Sequence, residues 1–169
     1  MATSGVSYGT YAALTVTNLQ SLANDASDPF GGWQSARISN LSDLANDREF
    51  IVDLSTAATA PANDSGAYVY IVPWLSTDGG TTWIPGGNFG TTTAPTGSEG
   101  TASISDPNSM GGPLFVPYKV PSQRLQLAFT VVNVLGWMPD AVSIAIRNCT
   151  GAALSTGCVV SHNPIKYTI

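Results

Sequence analysis

Hydrophobic and polar residues alternate with a period of two over much of this chain. The clearest case is residues 123–132, in which Leu125, Leu127, Phe129 and Val131 occupy one face. Polar or small residues occupy the other face. Successive side chains of a β-strand point to opposite sides of a sheet, so this alternation predicts a strand with one buried face.

Further strands are predicted by stretches rich in β-branched and aromatic residues. The stronger ones are residues 49–54, 67–75 and 141–147, and the weaker ones are residues 33–38, 114–120 and 165–169. Pro73 places its end of a strand at an edge or a bulge, because proline cannot donate to the ladder. Seven or eight strands separated by Gly/Pro turns predict an all-β fold, an antiparallel β-sandwich.

The remaining segments divide the chain into an arm and one domain. Residues 1–12 are rich in Ser, Gly and Tyr and are interpreted as an N-terminal arm, and residues 13–169 as a single β-sandwich domain. Residues 14–23 and 38–45 have partly helical spacing, which allows one or two helical turns. Residues 85–112 are predicted to form a long Gly/Pro-rich loop, and loops of that length are usually binding elements or excursions onto a partner.

Composition and charge exclude several classes of protein. Only 10% of the 169 residues are charged, against about 25% in ordinary soluble domains, which excludes a long charged helix or coiled coil. The net charge of −5 repels polyanions, so we expect no nucleic-acid partner. No apolar run approaches the ~18 residues of a membrane span, and no secretory signal is recognisable. We therefore expect synthesis in a cytoplasm and no membrane partner.

Residues 76–83 read Ser-Thr-Asp-Gly-Gly-Thr-Thr-Trp and resemble the Asp-box of sialidase-like β-propellers. In a hairpin of this kind Asp78 accepts backbone N–H bonds, Gly79 and Gly80 adopt positive φ, and Trp83 folds back over the turn. A propeller repeats the box in every blade, whereas it occurs once here. The motif therefore predicts a stable hairpin and not a glycosidase.

Catalytic and metal-binding constellations are not recognisable. His162 is the only histidine, no Gly-x-Ser-x-Gly motif supplies an activated serine, and the three or four ligands of a zinc site are lacking. His-Asn-Pro at residues 162–164 predicts a polar turn, and most acidic residues also occupy turn sequences. We expect no enzyme activity, no metal and no cofactor.

Cys149 and Cys158 bracket a Gly-containing tip between two β-patterned stretches. If these flanks pair as a hairpin, the two Cβ atoms lie within disulfide range. Two states stay open: a dithiol in the cytoplasm, and a disulfide formed after release from the cell. The four tryptophans, Trp33, Trp74, Trp83 and Trp137, are expected to be core or hairpin residues more often than sugar platforms.

Both ends of the chain resemble the head decoration (cement) proteins of tailed bacteriophages. The resemblance near the start is carried by residues 13–16, 19–23 and 32–36, with Ile38 and Asn40. Near the end it is carried by residues 135–139, 142–147 and 148–151, with Leu154.

This resemblance implies a jelly-roll domain on the outer surface of a DNA-filled head, located in the virion and assembled as dimers or trimers where capsomers meet. Its partners would be the major capsid protein and further copies of the chain. Within that expectation, the arm residues Tyr8 and Tyr11 are the first candidates for the interface, because aromatic anchors are frequent hot spots. Trp83 and Phe89, at the long loop, are the second.

Two other functions are considered. A carbohydrate-binding or host-adhesion β-sandwich would need exposed tryptophans side by side on one sheet face. A glycoside-processing enzyme would need two carboxylates brought together in unequal environments, and nothing in the sequence pairs them.

Overall fold

The computed structural model describes residues 4–25, 30–58, 65–85, 98–104 and 111–168. Within these ranges the chain is all-β, with two sheets of antiparallel strands and one five-residue helix. The predicted fold class is therefore confirmed at the level of an all-β protein with two sheets.

The described residues form twelve strands and one helix. In chain order these are β1 (Gly5–Tyr8), β2 (Ala12–Ala13), β3 (Phe30–Gln34), β4 (Ile38–Ser39), β5 (Asp47–Ser55), β6 (Gly66–Leu75), β7 (Ile84–Pro85), β8 (Gly100–Ile104), β9 (Gly111–Pro117), β10 (Arg124–Thr130), α1 (Val131–Leu135), β11 (Ala141–Cys149) and β12 (Val159–Thr168). Three of these strands have two residues each. The total nevertheless exceeds the seven or eight strands that the alternation indicates.

The first sheet has the order β1-β12-β5-β10, and β2 also pairs with β12. The second has the order β7-β6-β11-β3-β8, with β4 pairing β11 and β9 pairing β6. Every pairing is antiparallel. The longest ladder joins β6 to β11 over nine residue pairs, from Ala141 opposite Trp74 to Cys149 opposite Gly66.

The main core is built from one face of each sheet. Phe50 and Val52 of the first sheet and Val69, Ile71 and Ile144 of the second belong to the same buried cluster. Alternate residues of the predicted strands supply most of this cluster, as the period of two requires. The prediction that one face of residues 123–132 points inward is confirmed, and Val142, Ile144 and Ile146 of the predicted strand 141–147 also face this core.

The second sheet is also buried on its other face. Tyr70, Val72 and Trp74 of β6 pack there with Ala141 and Ala145 of β11, and all five are at most 2% exposed. Strands buried on both sides read as continuous apolar runs, which explains the sequence of β6.

Two predicted irregular segments contain strands. Residues 85–112 were expected to form a loop, but β8 and the start of β9 lie within that range. The arm expected at residues 1–12 contains β1, which pairs with β12 from Gly5 opposite Thr168 to Tyr8 opposite Ile165. The pairing partners are at the far end of the chain, so the local sequence gives no sign of them.

The helical candidates each form one turn. Gln20 N donates to Val16 O at 3.2 Å, and Leu44 N donates to Asn40 O at 2.9 Å. The prediction of one or two helical turns is confirmed in this limited sense. α1 falls instead where the strand was expected to continue.

Pro73 lies inside the second sheet. Its neighbour across the ladder on β11 is Val142. On the other side of β6, the pairing with β9 ends at Ile71 and the pairing with β7 begins at Trp74. Neither β9 nor β7 pairs with residue 73, so no carbonyl of a partner strand needs an N–H donor there. Proline, which has no N–H, is therefore tolerated at this position.

Candidate interaction surfaces

The outer side of β1 is a sheet edge with which no described strand pairs. All four residues of β1 are exposed, and none is charged or a proline. Natural edge strands usually carry Lys, Pro or a bulge that prevents further pairing. An edge without these features remains competent to accept another strand.

The register shows which backbone groups face this open side. Gly9 N donates to Pro164 O at 2.9 Å, so this pair lies at a hydrogen-bonded position of the ladder. Hydrogen-bonded and non-hydrogen-bonded pairs alternate in an antiparallel ladder. Val6, opposite Tyr167, and Tyr8, opposite Ile165, therefore direct their N–H and C=O groups outward.

Large apolar side chains accompany these groups. Val6 is 53% exposed, Tyr8 65% and Tyr167 50%. Tyr11 is also exposed, and its hydroxyl donates to a carboxylate oxygen of Glu49 on β5. This hydrogen bond is the main cause that raises the pKa of Tyr11. Of the four predicted interface residues, Tyr8 thus lies on the open edge of the first sheet, and Tyr11 contacts the interior strand β5 of the same sheet.

The Asp-box hairpin lies at one end of the second sheet, between β6 and β7. Asp78 Oδ1 accepts from Thr82 N at 2.7 Å and from Thr81 N at 3.1 Å, and Gly79 and Gly80 have φ of 70° and 97°. The Trp83 indole donates to Gly80 O at 2.8 Å. The predicted hairpin is confirmed in each of these contacts.

The bonds to Asp78 favour its charged form. The backbone N–H of Thr82 is the largest cause that lowers the pKa of Asp78 to about 2. A carboxylate held in this way is an acceptor for the turn and is not poised to donate a proton. Its role is structural, and it fixes the position of Trp83.

Arg37 stacks on this tryptophan. Its guanidinium carbon lies 4.2 Å from the ring centroid of Trp83 and 5.9 Å from that of Trp74. Sequence reasoning missed this residue. The signal was present, since Arg37 is the only charged residue between Asp28 and Asp43.

The predicted interface residues are divided between two surfaces. Tyr8 belongs to the β1 edge, Tyr11 follows β1 and reaches Glu49 on β5, and Trp83 belongs to the hairpin in the other sheet. Phe89 lies outside the described residues.

The tryptophans do not form a sugar platform. Trp33 and Trp74 are each 1% exposed, Trp83 lies under Arg37, and Trp137 is 42% exposed. Trp33 borders a cleft of about 280 Å³, to which Asn18 also contributes. Its indole N–H donates to Glu99 at 2.6 Å, but its ring is too buried to stack on a sugar.

His162 lies in β12 and not in the expected polar turn. Its Nδ1 is 2.8 Å from a terminal nitrogen of Arg48, which is fully buried and also pairs with Asp43 at 2.5 Å. Arginine can only donate, so Nδ1 accepts and the ring proton resides on Nε2. Burial, followed by the positive charge of Arg48, lowers the pKa of His162 to about 4.

The two cysteines are free and belong to different sheets. Cys149 ends β11 in the second sheet, and Cys158 directly precedes β12 in the first, so their flanks do not form the hairpin that a disulfide required. The Cys149 thiol donates to Asp25 O at 3.3 Å, and Cys158 Sγ accepts from Ser55 N at 3.4 Å. Burial raises the pKa of both thiols, so neither is an activated nucleophile.

Other ligand classes find little support in the described part of the chain. It contains no group of three or more His, Cys, Asp or Glu side chains that could hold a metal ion. None of its helices is long and apolar enough to cross a membrane.

No protein-family profile matches the chain, and neither a curated protein nor a solved structure matches it significantly. Function must therefore be inferred from the chain's own surfaces.

Proposed function

We propose that this protein is a capsid decoration protein, a non-enzymatic virion component that binds the outside of a phage head where capsomers meet. In this proposal it stabilises the shell against the pressure of the packaged DNA. Its partners are the major capsid protein and further copies of itself, as dimers or trimers.

The finer fold belongs to this proposal: we propose a jelly roll. It comprises the eight strands β1, β3, β5, β6, β9, β10, β11 and β12. If these are renumbered one to eight in chain order, the first sheet runs 1-8-3-6 and the second 5-4-7-2. Two four-stranded sheets connected in this way are the arrangement of the jelly roll, which is common in viral capsid proteins. β8 then extends the second sheet beyond β3.

The single observation that carries the functional proposal is the open edge of β1. Outward N–H and C=O groups of Val6 and Tyr8 can pair with an extended segment of another protein, which is recognition by strand addition. The exposed side chains of Val6, Tyr8 and Tyr167 would add apolar area to the same contact.

Binding of this kind would stabilise an assembled shell by mass action, because the protein binds the lattice and not the dissociated subunits. Many modest contacts add up, since removing one capsomer breaks several bridges together. A surface with few charges suits this role because little charge has to be desolvated on docking.

The test is co-sedimentation with phage heads stripped of the protein. Wild-type protein should bind to saturation, and Val6→Pro should lower its affinity at least tenfold because it removes an outward N–H. Val6→Ala keeps that N–H and is the matched control, which should bind within about threefold of wild type.

Thermal unfolding of Val6→Pro should stay close to that of wild type, since the N–H of Val6 is not needed for pairing with β12. A correctly folded Val6→Pro variant with wild-type affinity would contradict the role of the edge. Failure of the wild-type protein to bind heads would contradict the function itself.

A further inference from the structure

Arg37 differs from the other three arginines of the chain. Arg48, Arg124 and Arg147 each lie within ion-pair distance of an aspartate. Arg37 makes no ion pair or hydrogen bond with any described side chain, and its guanidinium lies instead over the rings of Trp83 and, at longer distance, Trp74.

Hydrogen bonds fix the position of both partners of the stack, Trp83 and Arg37. On one side, the bonds to Asp78 fix the hairpin that carries Trp83. On the other, Ser35 N donates to Ile144 O at 2.8 Å, and Ile38 pairs with Val142, so the backbone on each side of Arg37 is tied to β11. A group fixed before binding loses less entropy when a ligand arrives.

The electrostatics leave the charge of Arg37 uncompensated. Burial lowers its pKa, and no carboxylate of the described residues opposes this shift. A guanidinium remains protonated under these conditions, and its planar fork of N–H donors matches a carboxylate.

An apolar side chain lies beside the stack. Leu41 approaches the hairpin at Gly80, next to the Trp83 ring, and is 36% exposed. Tryptophan and arginine are enriched at the energetic centres of protein interfaces, where neighbouring apolar groups exclude water.

We propose that Arg37 and Trp83 form a receptor for a carboxylate side chain, an aspartate or glutamate of a partner protein that is flanked by apolar residues. The apolar side chain of Leu41 beside the stack favours a protein segment over a free phosphate. The net charge of −5 disfavours a nucleic-acid backbone. This inference does not depend on the proposed function in the virion.

The probe is the peptide acetyl-Leu-Glu-Leu-amide, titrated into the ¹⁵N-labelled full-length protein. The Arg37 Nε–H and Trp83 indole N–H resonances should shift to saturation. The uncharged peptide acetyl-Leu-Gln-Leu-amide should bind at least tenfold more weakly, because a charged acceptor strengthens the hydrogen bonds.

Variants separate charge from geometry. Arg37→Met should abolish saturable binding, and Arg37→Lys should weaken it about threefold to tenfold, since lysine keeps the charge but lacks the fork. Lys166→Met removes the same charge from an exposed strand residue and should bind as wild type.

Three results would overturn the proposal. They are equal binding of the glutamine peptide, tighter binding of inorganic phosphate than of the glutamate peptide, and wild-type affinity in Arg37→Met. Arg37→Lys covers the case in which Arg37→Met does not fold. None of these results depends on whether the protein binds phage heads.

Discussion

The residue with the most constrained chemistry is His162. Its Nδ1 accepts a hydrogen bond from buried Arg48, and protonation would replace that acceptor by a second positive charge. The guanidinium of Arg48 keeps only one carboxylate partner among the described residues, Asp43, whose side chain is 41% exposed. The folded state therefore favours the neutral imidazole.

This arrangement predicts a pH dependence of stability. The pKa of His162 is about 4 in the folded state and near 6.5 when unfolded, so between these values the unfolded chain binds the extra proton. The contribution is complete above pH 6.5 and is lost as the pH falls towards 4. We expect a loss of about 1–2 kcal/mol by pH 4.5, discounted because the ring is partly exposed.

His162→Asn is the comparison, because its amide can accept from Arg48 without titrating. Urea unfolding of both proteins at pH 7 and pH 4.5 measures the difference. Carboxylates titrate in both proteins and cancel. Equal losses of stability in the two proteins would show that His162 does not titrate as described.

At the scale of single elements, the Asp-box hairpin depends on one carboxylate. Asp78→Ala removes the acceptor of the Thr81 and Thr82 N–H groups. Hydrogen exchange of these two amides should accelerate at least tenfold, because their protection comes from this hydrogen bond. Thr77→Ala, a neighbouring change that leaves the carboxylate in place, should leave both rates unchanged. Unaltered exchange in Asp78→Ala would contradict the assigned role.

An element could be predicted from the sequence when the interactions that form it join residues close together in the chain. The hairpin was predictable because its donors, acceptor and glycines lie within residues 76–83. α1 was not, because Val131, Val132 and Val134 have the composition of a strand. Its start is capped by the Thr130 side chain, and it ends at Gly136 with φ of 82°.

Two strand segments with few apolar residues were not predicted from the sequence. β8 reads Gly-Thr-Ala-Ser-Ile, which carries little periodic signal, and it forms by pairing with β3. His162 was assigned to a turn from its Asn-Pro neighbours, but β5 pairs with that segment and holds it as a strand.

At the scale of the whole molecule, the two-sheet all-β fold followed from alternation, whereas the pairing of distant segments did not. β1 and β12 lie at opposite ends of the sequence, so only the folded chain reveals the edge that they form. The stack of Arg37 on Trp83 joins residues 46 positions apart (83 − 37) and was hidden for the same reason. Tyr8, Tyr11 and Trp83 were chosen by composition, which could not indicate that they belong to two surfaces.

These two surfaces give the proposed decoration protein two distinct means of contact. The β1 edge offers backbone pairing, and the hairpin end offers a cation on an aromatic ring. Strand addition is tolerant of sequence because it uses the backbone, whereas the guanidinium selects a carboxylate. A shell protein that meets both surfaces would be bound with a defined orientation.

The most direct test of the central claim is electron cryomicroscopy of purified virus particles that contain this protein. The account predicts density for the two-sheet domain on the outer face of the icosahedral head, at junctions between capsomers, with the β1 edge against a neighbouring protein. Density for the domain inside the head, on the tail, or nowhere on the outer face would contradict it.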